Sequence, residues 1–225
     1  MPRNKHPEET RTKILDAAIK TFLEKGYEQT TILDIVSNMG GLTRGAFYHH
    51  FKSKEEVLNA ISDKIFEDTN PIKSVLREKG LNAMQKLRKI LIWSLGSFEG
   101  GYKELHIASL DLMKNPQFLA EQMNFNKIST EKYFQPLIQE GMKDGSIPVK
   151  NPRLAAELML LMFNIWFAPP LFPGSEQYML EKVMHIKTAL DSIGIPVVNS
   201  EFLDAFDHAF RAEGHNIIKH YSKPE

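Results

Sequence analysis

The sequence predicts an all-α protein. Apolar residues recur at i, i+3, i+4 and i+7 in segment after segment. Prolines and glycines fall between those segments, at Gly26, Gly40-Gly41, Pro71, Pro116, Pro148, Pro152 and Pro169-Pro170. No stretch sustains the period-2 alternation of a half-buried strand.

From Thr12 to Lys25 the apolar positions Leu15, Ala18, Ile19 and Phe22 form one helix face, and Gly26 stops it. Thr30 and Thr31 offer a cap to a short second helix with Ile32, Ile35 and Val36 inward. After Gly40-Gly41, Thr43 can cap a third helix carrying Phe47 and Phe51. Ser53 with Glu56 three residues on reads as a capping box that opens a long helix to about Lys79. Further helices are expected at about 81–98, 103–113, 116–143, 152–167, 175–193 and 200–212. Pro136 should kink or split the fourth-from-last of these.

The charge is balanced, 28 Lys+Arg against 28 Asp+Glu. It is unevenly spread, with nine basic and six acidic residues in 1–54 and nineteen against twenty-two in the rest. A basic N-terminal piece on an acidic body suits an anionic partner. The absence of Cys excludes disulfides and thiolate metal sites. No apolar run reaches a membrane-spanning length, and the first twenty residues lack a signal core, so a cytoplasmic location is expected.

Three short helices with a Gly turn before the last follow the helix-turn-helix plan, whose final helix enters the major groove. Thr43 and Arg44 stand where that helix would meet base edges, and an Arg can fork onto a guanine. Gly45 lets backbone approach closely. Tyr48, His49, Lys52 and Lys54 can bond phosphate oxygens or stack. Thr30 and Thr31 mark a helix N-terminus that attracts anions.

Arg11–Ile61, and above all TRGAFYHHFKSKEEVL at Thr43–Leu58, resembles the DNA-binding domain of TetR-family transcriptional regulators. ILDAA at Ile14–Ala18 and the Phe22–Tyr27 segment support the likeness. The family turn usually reads Gly, an aliphatic residue, then Ser or Thr; here Met39-Gly40-Gly41-Leu42-Thr43 holds one additional residue. The resemblance implies that Thr43, Arg44 and Gly45 begin the recognition helix. It makes Tyr48 and Lys54 backbone-contacting residues and His49 a residue near bases. It implies a DNA-binding domain over 1–55 and a larger helical ligand-binding and dimerisation domain over 56–225.

In that second region Trp93, Phe98, Met123, Met162, Phe163 and Trp166 are bulky residues that either line an apolar pocket or fill a core. His106 is a polar group able to orient a ligand there, as are Glu99 and Asp111. Leu154, Leu158, Leu161 and Ile165 form one 4-3-4 stripe, and Met179, Val183, Ile186 and Leu190 another. Paired across a twofold axis they would build a four-helix bundle between subunits; alternatively one stripe covers the pocket. His208, His215 and His220 are spaced too irregularly for a metal site on one helix face, so no metal or cofactor is expected. No phosphate loop, G-x-S-x-G or H-E-x-x-H is present, which argues against an enzyme.

The expectation is a homodimeric transcriptional repressor that leaves a palindromic double-stranded operator when a small apolar or amphipathic effector binds. The alternative is a helical carrier or enzyme with a vestigial DNA-binding domain. The helix from Ser53 to Lys79, about 25 residues and nearly 40 Å at roughly 1.5 Å per residue, would act as the connecting rod.

Overall fold

The computed structural model describes residues 7–69, 72–96, 112–114 and 116–209, and within them every regular element is helical. They divide into two compact units, the first ending with residue 69 and the second holding the rest. The boundary expected at residue 55 falls just inside the last helix of the first unit.

The first unit contains α1 (Pro7–Lys25), α2 (Ile32–Ser37), α3 (Arg44–His50) and α4 (Lys54–Thr69). Helix α1 packs on each of the other three. Its face buries Ile14, Leu15, Ala18 and Phe22 against Ile35, Met39, Phe47, Phe51, Val57, Leu58 and Ile61. Each large side chain so enclosed contributes about 1.5–3 kcal/mol. Of the three residues expected inward on α2, only Ile35 is buried; Ile32 and Val36 are half-covered because six residues make less than two turns.

Of the expected Ser53–Lys79 rod the structure describes α4 and α5 (Ile72–Arg77); residues 70 and 71, between the two, lie outside the described residues. Helix α4 alone spans about 24 Å at roughly 1.5 Å per residue.

The second unit holds α5 and α6 (Ala83–Gly96). It continues with α7 (Pro116–Ser129), α8 (Gln135–Asp144), α9 (Pro152–Leu161), α10 (Glu176–Ser192) and α11 (Ser200–Ala209). A 3-10 turn, Leu112–Lys114, precedes α7. Helix α6 packs on α5, α8 and α11, and α9 on α7 and α8. The α6 N-terminus is satisfied by the end of α8: Ala83 N–H donates to Asp144 Oδ2 at 2.9 Å and Met84 N–H to Ser146 Oγ at 3.2 Å. Lys86, almost fully buried, pairs with Glu140 at 2.7 Å.

Pro136 does disturb its helix. Between α7 and α8 the backbone widens into a π turn, Thr130–Phe134, and Gln135 N–H donates to the Thr130 carbonyl, five residues back. A second π turn, Met162–Trp166, ends α9, where Phe167 N–H donates to Met162 O at 2.9 Å.

The two expected interface stripes differ. Met179, Val183, Ile186 and Leu190 are buried within the single chain, so this stripe is core. Leu154, Leu158 and Leu161 remain exposed on α9, Leu154 by 60%.

Candidate nucleic-acid interface

The turn between α2 and α3 is made by two consecutive left-handed glycines, Gly40 (φ 62°) and Gly41 (φ 88°). Any other residue is strained at both positions. They absorb the additional turn residue, while Met39 on one side and Phe47 on the other stay buried. Helices α2 and α3 remain packed together and against α1.

Each short helix is started by its own cap. Thr31 and Asp34 form a capping box: Asp34 N–H donates to Thr31 Oγ1 (3.2 Å) and Thr31 N–H to Asp34 Oδ2 (2.9 Å). Lys25 also donates to Asp34, and that bond, with those from Thr31, holds the carboxyl well below the usual carboxylate range. Thr43 caps α3 by accepting from Ala46 N–H at 3.2 Å. At the start of α4, Ser53 Oγ accepts from Glu56 N–H at 3.2 Å, while Glu56 Oε2 accepts from Lys52 N–H at 2.6 Å. The box expected there therefore closes one residue earlier.

Helix α3 buries Phe47 and turns Arg44, Gly45, Tyr48 and His49 outward. Arg44 Cζ lies 5.4 Å from the Tyr48 ring centroid, and Arg44 Nη2 is 3.4 Å from the phenol oxygen. This i, i+4 pair pre-arranges a planar cation on an exposed helix face. Gly45 is helical and solvent-exposed, and a Cβ there would meet only Thr43 Oγ1 at 3.6 Å. The fold itself has room for a side chain at that position.

The remaining site residues are placed differently. Thr31 and Thr43 are exposed at their caps. Thr30 is buried; its hydroxyl donates to Gly26 O at 2.8 Å and holds the α1–α2 turn. Lys52 is exposed. Lys54 Nζ donates to Tyr27 O at 2.8 Å and approaches Glu28 O at 3.5 Å, above the Tyr27 ring at 4.1 Å. It thereby ties the first turn of α4 to the turn that follows α1.

Residues 14–61 match the family of bacterial regulatory proteins, tetR family. The likeness to the TetR family is carried by this domain. A probable HTH-type transcriptional regulator, ArpR of Pseudomonas putida, is 35% identical over 86 residues, 38% of this chain and 40% of that protein. The chain thus matches less than half of that relative's length. The HTH-type transcriptional repressor KstR2 of Rhodococcus jostii is 27% identical over 141 residues, 60% of this chain and 67% of that protein. Over 91% of each chain the fold is similar to that of a solved SmeT–triclosan complex, at TM-score 0.56 and 22% identity.

Sequence reasoning missed several contacts that hold the TetR-family domain together. Asn38 Nδ2 donates to Thr21 Oγ1 at 3.0 Å, and buried Thr21 donates to Ala17 O at 2.7 Å, which joins α1 to the end of α2. Arg11 lies over the Phe51 ring at 5.6 Å, beside His50. Burial, then the neighbouring His49 and Arg11, push the His50 pKa down. No spacing rule joins these partners; an Asn 17 residues after a Thr carries no signal.

In the second unit, Met162, Phe163 and Trp166 share the π turn after α9 and are half-buried. Trp93 is half-buried on α6, and Met123 is exposed on α7. The Phe163 ring packs on Phe202 of α11, centroids 5.8 Å apart. Phe98 and His106 lie outside the described residues, as do Glu99, Asp111, His215 and His220. Among the described residues no helix is long and apolar enough to cross a membrane.

Proposed function

We propose that this chain represses transcription by binding a palindromic operator as a homodimer, and that a small apolar or amphipathic effector releases it. The observation that carries the DNA reading is the outward face of α3. It joins a ring-supported Arg44, an exposed helical glycine and exposed Tyr48 and His49 on a capped helix behind a tight turn. In this reading Arg44 contacts a base edge and Gly45 admits backbone close to the duplex. Thr31, Thr43, Tyr48, Lys52 and Lys54 hold phosphates, and His49 lies near bases. Thr30 contributes by fixing the turn that places Thr31.

Residues 1–55 bind DNA in this proposal, and residues 56–225 bind the effector and dimerise. Support for dimerisation through α9 comes from Leu154, Leu158 and Leu161, an exposed apolar row on one face. Support for an effector comes from the half-buried Trp93, Met162, Phe163 and Trp166, and from the fold likeness to a protein solved with triclosan. The deciding experiment is a footprint of the purified protein on the DNA upstream of its own gene. A symmetric protected site of two half-sites one helical turn apart is expected; no sequence-selective protection would defeat the proposal.

A further inference from the structure

Lys182 sits on the inward side of α10 among Met179, Val183 and Ile186, and is 2% exposed. Its ammonium has no hydrogen-bond partner. Among the described residues of the second unit, Lys86, Lys89, Arg153 and Lys187 stand in ion pairs with carboxylates. Three aromatic rings stand around Nζ: Tyr178 at 4.9 Å, Phe172 at 5.1 Å and Trp166 at 5.3 Å. They come from three places, the first turn of α10, the loop after Pro169-Pro170, and the π turn after α9.

Ring faces attract a cation but offer no acceptor of ordinary strength to its three N–H groups. A buried ammonium in that state is unfavourable unless an anion joins it. Its burial accordingly pushes the pKa below the usual lysine value. Phe172 and Tyr178 are 41% and 43% exposed, so two of the three walls are also surface. At Gly174 a Cβ would stand 2.1 Å from Tyr178 Cδ1, so the ring packs on loop backbone where no side chain intervenes. Apolar wall, near-surface position and an unmet cation occur together.

We propose that Lys182 anchors a small organic carboxylate. The carboxylate accepts from Nζ, and its apolar body lies against Trp166, Phe172 and Tyr178. An inorganic anion would satisfy the ammonium but leave the exposed ring faces uncovered. The proposal goes beyond operator release, and acid binding is measured without DNA, so either idea can fail alone.

The test titrates the full chain with benzoate, benzyl alcohol and inorganic phosphate by calorimetry. Saturable benzoate binding is expected, stronger than benzyl alcohol or phosphate by roughly tenfold or more, the scale of one charge-assisted hydrogen bond. Lys182→Met should abolish that advantage, and Lys182→Arg should retain most of it. Removing an unpaired buried charge should leave Lys182→Met melting no lower than wild type. In the wild type, the Lys182 pKa read from its Cε resonance should rise with benzoate and stay unchanged with benzyl alcohol, which decides the matter without a variant. Equal benzoate affinity in wild type and Lys182→Met, an unmoved Lys182 resonance, or phosphate binding as tight as benzoate would overturn the proposal.

Discussion

Arg44 rests on Tyr48, with Cζ 5.4 Å from the ring centroid and Nη2 3.4 Å from the phenol oxygen. Both side chains belong to the solvent face of α3, one turn apart. A guanidinium supported in this way loses less conformational freedom when it meets an acceptor than a free one does. Arg44→Ala should cost about 1–3 kcal/mol per base contact and relax preference at one position in each half-site. Competition gel shifts against single-base operator variants measure both; an unchanged preference would remove Arg44 from readout.

Gly45 separates stability from binding. Nothing in the fold needs a glycine there, so Gly45→Ala should stabilise the domain by about 0.5–1 kcal/mol through helix propensity. Its methyl group would stand between α3 and DNA, so operator affinity should fall. Urea denaturation and gel shift on the same sample check the opposed signs.

Lys54 has three donors, and two are aimed at the Tyr27 and Glu28 carbonyls. Lys54→Met should lower unfolding free energy by about 1–2 kcal/mol, the scale of a hydrogen bond from a charged group. The third donor is available to a phosphate, so the slope of log affinity against log salt should fall by about one per subunit. Thermal melts and salt titrations report the two effects separately.

His50 should make the fold sensitive to mild acid. Its folded pKa is depressed, so the unfolded chain takes up a proton first as pH falls. The unfolded state binds more protons in that window, and stability therefore decreases as pH drops below about 6.5. Melting temperatures between about pH 7.5 and pH 5 should fall in the wild type, and His50→Gln should flatten the decline. Asp34, also depressed, acts the same way only in stronger acid, below about pH 4.

Leu158 and Val183 should behave differently although both lie on apolar stripes. Leu158→Glu places a charge on an exposed row and should yield a folded monomer in light scattering if that row is the dimer face. Val183→Glu buries a charge inside one chain and should unfold the second unit, at a cost of several kcal/mol. A dimeric Leu158→Glu protein would move the interface elsewhere.

Local chemistry made much of the first unit legible. The caps at Thr31 and Thr43 join atoms three residues apart, and the buried Phe22, Ile35 and Phe47 follow helical period. Pro136 announced a disturbed helix because its missing N–H is a property of one residue.

Interactions within one or two turns made α1, α2 and α3, the caps at Thr31 and Thr43 and the composition of the α3 face readable from the sequence, while the helix expected at 103–113 lies almost wholly outside the described residues. Tertiary structure alone decided which apolar stripe became core. Periodicity says that a helix has an apolar face and nothing about what covers it, so Met179–Leu190 and Leu154–Leu161 were indistinguishable until packed. It also decided where the lysines point. Lys54 meets a carbonyl 27 residues away, and Lys182 is enclosed by rings from three separate segments. Such partners are set by how helices pack, through side-chain reach and exclusion of water, which no local pattern encodes.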